Sequence, residues 1–118
     1  TLNQIKSLRI PMPGIKIKHA WYLFYFYLNP KYLLEDWNRD RIILEIGNQG
    51  VNIFTGSCSE IYLEKCFQDL GYFPKERLKI AKLLGETSLA CLVDPTVSEN
   101  EQFKRAEIIK KVIEKATI

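Results

Sequence analysis

His19-Ala20-Trp21-Tyr22-Leu23-Phe24-Tyr25-Phe26-Tyr27-Leu28 packs nearly half of the chain's aromatic side chains into ten residues. Aromatic residues favour the pleated surface of a sheet, and Asn29-Pro30 behind the run is a turn signal. Ten residues are too few to cross a bilayer as a helix, and no helical spacing of charge runs through them. The stretch is therefore predicted as a strand over 19–28. Ala20, Tyr22, Phe24, Phe26 and Leu28 alternate with Trp21, Leu23, Tyr25 and Tyr27, so both faces are apolar. A half-wet strand would alternate apolar with polar residues, and this one is expected to be covered on both sides and central in its sheet.

The rest of the 118 residues suits one domain with a real core. The net charge of +3 is scattered, without the basic stripe of a nucleic-acid surface. Three cysteines (Cys58, Cys66, Cys91) without C-x-x-C spacing, and a single histidine, argue against a structural zinc site. They are read as small apolar side chains in a reducing cytoplasm. No signal peptide and no membrane-spanning apolar run is legible. The chain opens on Thr1 and its one methionine is Met12, which suggests a piece of a longer product.

Leu8-Arg9-Ile10 reads as a brief strand, followed by an extended Pro11-Met12-Pro13-Gly14 connection. Beyond the aromatic strand, Lys31–Trp37 is a loop in which Glu35 and Asp36 read as solvated charges. Asn38 is a helix N-cap with Asp40 in the first turn. Ile42, Ile43 and Ile46 recur at helical spacing, and Asn48-Gln49-Gly50 ends the helix. Gly47 within it suggests close packing. Val51–Phe54 alternates like a strand, and Thr55-Gly56-Ser57-Cys58-Ser59 is a loop of small residues. Ser57 with Glu60 fits a capping box for a helix to about Phe67. A helix opening at Pro74 or Lys75 carries Leu78, Ala81 and Leu84. Ser88–Val93 is an apolar strand broken by Asp94-Pro95. Ser98 with Glu101 caps a last helix over Glu99–Ala116, whose apolar face is Phe103, Ala106, Ile109, Val112, Ile113 and Ala116. The order β-β-α-β-α-α-β-α predicts an α+β fold: a two-layer sandwich of one small, mostly antiparallel sheet with helices on one face. The other face of the aromatic strand would then await a partner.

No catalytic constellation is visible. His19 has no nucleophile or second base beside it in the pattern and reads as structural. The Gly56-Ser57-Cys58-Ser59 loop before a helix start has amides for an anion, but lacks the lysine of a P-loop.

The ordered set of motifs resembles the C-terminal part of the PLP-dependent sugar-nucleotide aminotransferases of the DegT/DnrJ/StrS type. It comprises the aromatic strand headed by His19, Arg39-Asp40, Gly50-Val51, Phe73-Pro74 with Ala81, the strand Ser88–Val93 with Pro95, and Ser98-x-x-Glu101. These run in order over about residues 8–116. The chain departs from the family at Phe54–Tyr62, where much of the family has Tyr-Pro followed by Leu-His, and at Tyr22, where a histidine is common.

The resemblance implies the small domain of a fold-type-I PLP enzyme, residues 1–118 forming a single C-terminal domain. The PLP lysine and phosphate-binding turn would belong to a preceding large domain that this chain lacks. It also implies PLP in the parent enzyme and none here, a homodimer of the full-length enzyme, and no nucleic-acid or membrane partner. The loop would close over the active site with Thr55, Ser57, Cys58, Ser59 and Tyr62 contacting a keto-sugar nucleotide; no catalytic or metal-binding residue is assigned. Two other classes stay open. One is a freestanding binding module whose aromatic sheet stacks single-stranded RNA, and the other is a small cysteine enzyme using Cys58 and His19.

Overall fold

Phe26, fully buried, is the centre of the molecule in the computed structural model, which describes residues 2–118. It lies on β2 (Leu23–Leu28), the middle strand of a three-stranded antiparallel sheet ordered β1-β2-β3. β1 (Leu8–Arg9) pairs Leu8 with Leu28 and Arg9 with Tyr27. β3 (Ser88–Leu92) pairs Leu89 with Phe26 and Leu92 with Leu23. The aromatic strand is central, as its composition predicts.

It is shorter than the ten residues expected, because strand length is a property of pairs. β1 runs into Pro11 and Pro13, and β3 into Asp94-Pro95, and each proline removes a donor from the ladder. A last bond from the Val93 amide to the Tyr22 carbonyl (3.2 Å) marks the end. His19 and Ala20 are exposed and outside the sheet. The His19 ring lies tilted against Trp21 with centroids 4.2 Å apart, and its Nδ1 accepts the Trp21 amide.

α1 (Arg39–Gly47) starts where Asn38 places it, its side chain accepting the Arg41 amide at 2.9 Å. α4 (Glu99–Lys115) is capped by Ser98, which accepts the Glu101 amide. The Glu101 carboxylate, however, pairs with Arg105 and does not close the box. α1 packs on α4 and β3. Ile42, Ile46, Ile109, Val112 and Ile113 meet Phe26, Leu28 and Leu89 in one apolar core. At about 1.5–3 kcal/mol per large buried side chain, this core dominates the stability. Trp37, expected in a loop, is buried at its edge with the Arg41 guanidinium 4.2 Å and the Lys115 ammonium 5.6 Å from its ring. Asp36 pairs with Arg41 at 2.6 Å.

Several local expectations fail. Val51–Phe54 is not a strand: Val51 and Ile53 are buried, but only Phe54 pairs, forming an isolated bridge with Ala90. Ser57 and Glu60 form no capping box; a 3-10 turn (Ile61–Leu63) and the short α2 (Lys65–Asp69) follow without a side-chain cap. α3 (Lys79–Thr87) begins after Leu78, well beyond Pro74. Phe103 is 63% exposed, because the amino-terminal half of α4 runs past the sheet beside an open apolar groove with Leu2, Ile10, Met12 and Phe24. Of the three cysteines read as small apolar side chains, Cys58 and Cys66 are exposed and Cys91 is half-buried. Nothing in the structure explains Gly47, where a side chain would meet open space.

The radius of gyration is 16.1 Å, against about 13.5 Å for a compact domain of this length. Residues 10–22 form an irregular connection in which Ile15 and Ile17 are exposed.

Candidate functional site

Ser57, at the start of the loop 55–62, lies against the outer face of β2, the face that carries Leu23, Tyr25 and Tyr27. Tyr25 organises the entry to the loop. Its hydroxyl accepts the Ser57 amide at 3.1 Å and shares a 2.9 Å bond with Ser57 Oγ. Gly56 has φ +91°, and a Cβ there would sit 2.6 Å from the Tyr25 ring, so the position takes only glycine without rearrangement. The Thr55 carbonyl accepts the Ser88 hydroxyl, which ties the loop to buried β3.

The remaining loop residues are placed one by one. Cys58 Sγ lies 3.6 Å from a Glu64 carboxylate oxygen. Ser59 presses against α3 at Gly85, where a Cβ would come within van der Waals contact of the serine side chain and clash. That contact gives Gly85 a reason to interrupt a helix at a cost of about 1 kcal/mol relative to alanine. The Arg39 guanidinium donates to the Gly85 carbonyl, so α1, α3 and the loop meet there. Tyr62 donates its hydroxyl proton to Glu60 Oε1 at 2.5 Å and accepts the Leu78 amide at 3.1 Å. The hydroxyls of Ser57 and Tyr62 are thus engaged within the fold.

Glu60 explains the missing capping box. Arg77 takes both of its carboxylate oxygens, Nε to Oε1 at 2.7 Å and Nη2 to Oε2 at 2.6 Å. This forked, charge-assisted pair outcompetes a backbone amide. The bonds from Arg77 and Tyr62 hold the Glu60 carboxyl down at about 2. The same pair raises Arg77 above its ordinary value, while burial and the Glu60 bond raise Tyr62. Sequence reasoning missed Tyr25, Arg77 and Gly85, since each acts on the loop from far along the chain. The positive-φ glycine at 56 was the one local signal available.

Next to the loop lies a groove of about 610 Å³ lined by Pro11, Met12, Pro13, His19, Trp21, Tyr22, Leu23, Tyr25, Tyr27 and Ser57. Arg9 stacks over Tyr27 at its far end, 4.3 Å from the ring centroid. His19 and Cys58 have no hydrogen bond to one another among the described residues, and the cysteine-enzyme reading has no geometric support. No cluster of three metal-ligating side chains forms among the described residues. No lysine among them is buried. An activated Schiff-base amine needs desolvation, so these lysines do not fit a PLP attachment site. No helix among the described residues is long and apolar enough to cross a membrane.

No family model and no curated protein matches the chain. Solved structures do. An aminotransferase from Psychrobacter cryohalolentis is 42% identical, with a TM-score of 0.85, over 93% of this chain and 29% of its own. A DegT DnrJ EryC1 StrS aminotransferase from Brucella abortus is 17% identical with a TM-score of 0.70, over 89% of this chain and 26% of its own. DesV from S. venezuelae, solved in complex with a ketimine intermediate, is 14% identical with a TM-score of 0.74, over 93% and 27%. The chain thus spans under a third of the length of the proteins it matches.

Proposed function

We infer that this chain, which has the α+β small-domain fold of the DegT/DnrJ/EryC1/StrS-type aminotransferases, serves as that domain in a longer PLP-dependent enzyme. The observation that carries the reading is the 42% identity sustained over 93% of the chain. In this reading the parent enzyme is a cytoplasmic homodimer that aminates a keto-sugar nucleotide. PLP supplies the electron sink, held by residues of the missing large domain. This chain contributes the loop 55–62, which excludes water from the substrate and hydrogen-bonds to it. Ser59 Oγ is the side chain offered, because Ser57 and Tyr62 are spent on internal bonds and Cys58 Sγ lies against Glu64.

Two further observations support a large partner surface. The radius of gyration exceeds that of a compact domain, and Ile61, Leu70, Tyr72, Phe73 and Ile80 are each more than half exposed. An aromatic sheet that stacks RNA is less well supported, since among the described residues the outer-face groove has Arg9 as its one adjoining cation–π partner.

The test is kinetic. In the full-length enzyme, Ser59→Ala is expected to lower kcat/KM for the keto-sugar by about tenfold, while Thr55→Val stays near wild type. Thr55 meets the fold through its backbone carbonyl. If Thr55→Val, Ser57→Ala and Ser59→Ala all keep wild-type kcat/KM, the loop is scaffolding. If the reading frame that encodes this chain carries no PLP-binding domain, the whole assignment falls.

A further inference from the structure

We propose that Glu60, Tyr62 and Arg77 form a clasp that positions the loop 55–62, making them positioning residues and not ligands of the substrate. The proposal rests on the functional reading above. Between Glu60 and Arg77 the chain leaves the body of the fold for 17 positions. None of residues 61–78 is buried, and Ile61, Leu63, Leu70, Tyr72 and Phe73 are exposed. Apolar packing therefore cannot hold this excursion or fix the end of the loop from which it departs.

The clasp can. Arg77 grips both carboxylate oxygens of Glu60, whose side chain is only 11% exposed. Tyr62 adds a third bond to the same carboxylate and hands its lone pair to the Leu78 amide at the head of α3. Both ends of the excursion are thereby joined to α3. The Glu60 carboxylate takes three donors and the Tyr62 hydroxyl serves as donor and acceptor, so a ligand would have to break a bond to reach either. Arg77 spends its Nε and Nη2 donors on Glu60. Tyr25 and Gly56 fix the start of the loop, and the clasp fixes its end. What lies between is Cys58 and Ser59, with Ser59 seated on Gly85.

The experiment uses the full-length enzyme with Arg77→Met, Arg77→Lys and Tyr62→Phe. Arg77→Met is expected to raise KM for the keto-sugar about tenfold with kcat within about twofold and the amino-donor KM unchanged. Arg77→Lys keeps the charge without the fork and should recover part of that loss. Amide exchange at residues 55–63 should quicken about tenfold in Arg77→Met while β2 and α4 stay protected. Unchanged exchange at 55–63 overturns the clasp. Quickened exchange with unchanged KM overturns the positioning role. Loss of protection in β2 and α4 as well would make the cluster a general prop of the fold and also overturn it. If Arg77→Met does not fold, Tyr62→Phe reads the same two quantities. A wild-type enzyme that aminates no keto-sugar sinks the functional reading instead, and the exchange measurement still decides the clasp.

Discussion

Phe26 and Glu60 stand for two ways of holding a chain in place. Around Phe26 the helices α1 and α4 and the strand β3 bury Ile42, Ile46, Leu89 and Ile113 completely. Many dispersed contacts share the load there, and no single polar bond matters much. Around Glu60 no residue from 61 to 78 is buried, and a few hydrogen bonds of defined direction do the work. Burial is tolerant of direction but sensitive to volume; forked hydrogen bonds are the reverse. A segment held in the second way can be opened without unfolding the first.

The sharpest way to break this contrast is to remove volume from the core. Phe26→Ala is expected to cost about 3–5 kcal/mol in urea unfolding. A loss below about 1 kcal/mol would mean the apolar half does not carry most of the stability.

Cysteine reactivity sharpens the same contrast. Cys91 faces the core side of β3 beside Phe24, and burial pushes its thiol up from 9.0 to about 11. Its thiolate fraction near pH 8 falls about a hundredfold, and Cys58 and Cys66 are exposed. Alkylation followed by peptide mass spectrometry should label Cys58 and Cys66 first and Cys91 far behind. Equal rates would show the core to be open.

The smallest effect is confined to the clasp. A folded carboxyl held below its unfolded value stabilises above the unfolded value and loses that contribution as pH falls through the folded one. For Glu60 the window runs from 4.5 down to about 2. Peptic cleavage within residues 61–78 should rise across that window in the wild type and be already high in Arg77→Met. A pH-independent cleavage rate in the wild type would remove the clasp from the account.

What was legible in the sequence follows from the range of the interactions. Asn38 and Ser98 declare the helix starts because each acts on an amide three residues away. The antiparallel sheet was legible in the aromatic strand, whereas its length was not, since prolines on its neighbours set it. The Ser57–Glu60 box failed because Glu60 answers to Arg77, 17 positions on, and Ser57 to Tyr25, 32 positions back. Local rules place an element's start; distant partners decide which local option is taken up. For the candidate site, the sequence marks a loop of small polar residues but not its contacts: two of the five named side chains, Ser57 and Tyr62, use their hydroxyls for internal bonds.

The lone bridge between Phe54 and Ala90 has a consequence for solubility. A three-stranded sheet leaves two rims of unpaired amides, and such rims recruit strands from other molecules into growing fibrils. Here Phe54 exchanges both backbone bonds with Ala90, 2.9 Å each way, occupying the middle of the open rim of β3. On the opposite rim β1 is two residues long and ends against Pro11. The rim of β3 therefore offers a visiting strand no continuous run, and on the other side β1 shields only Tyr27 and Leu28 of β2.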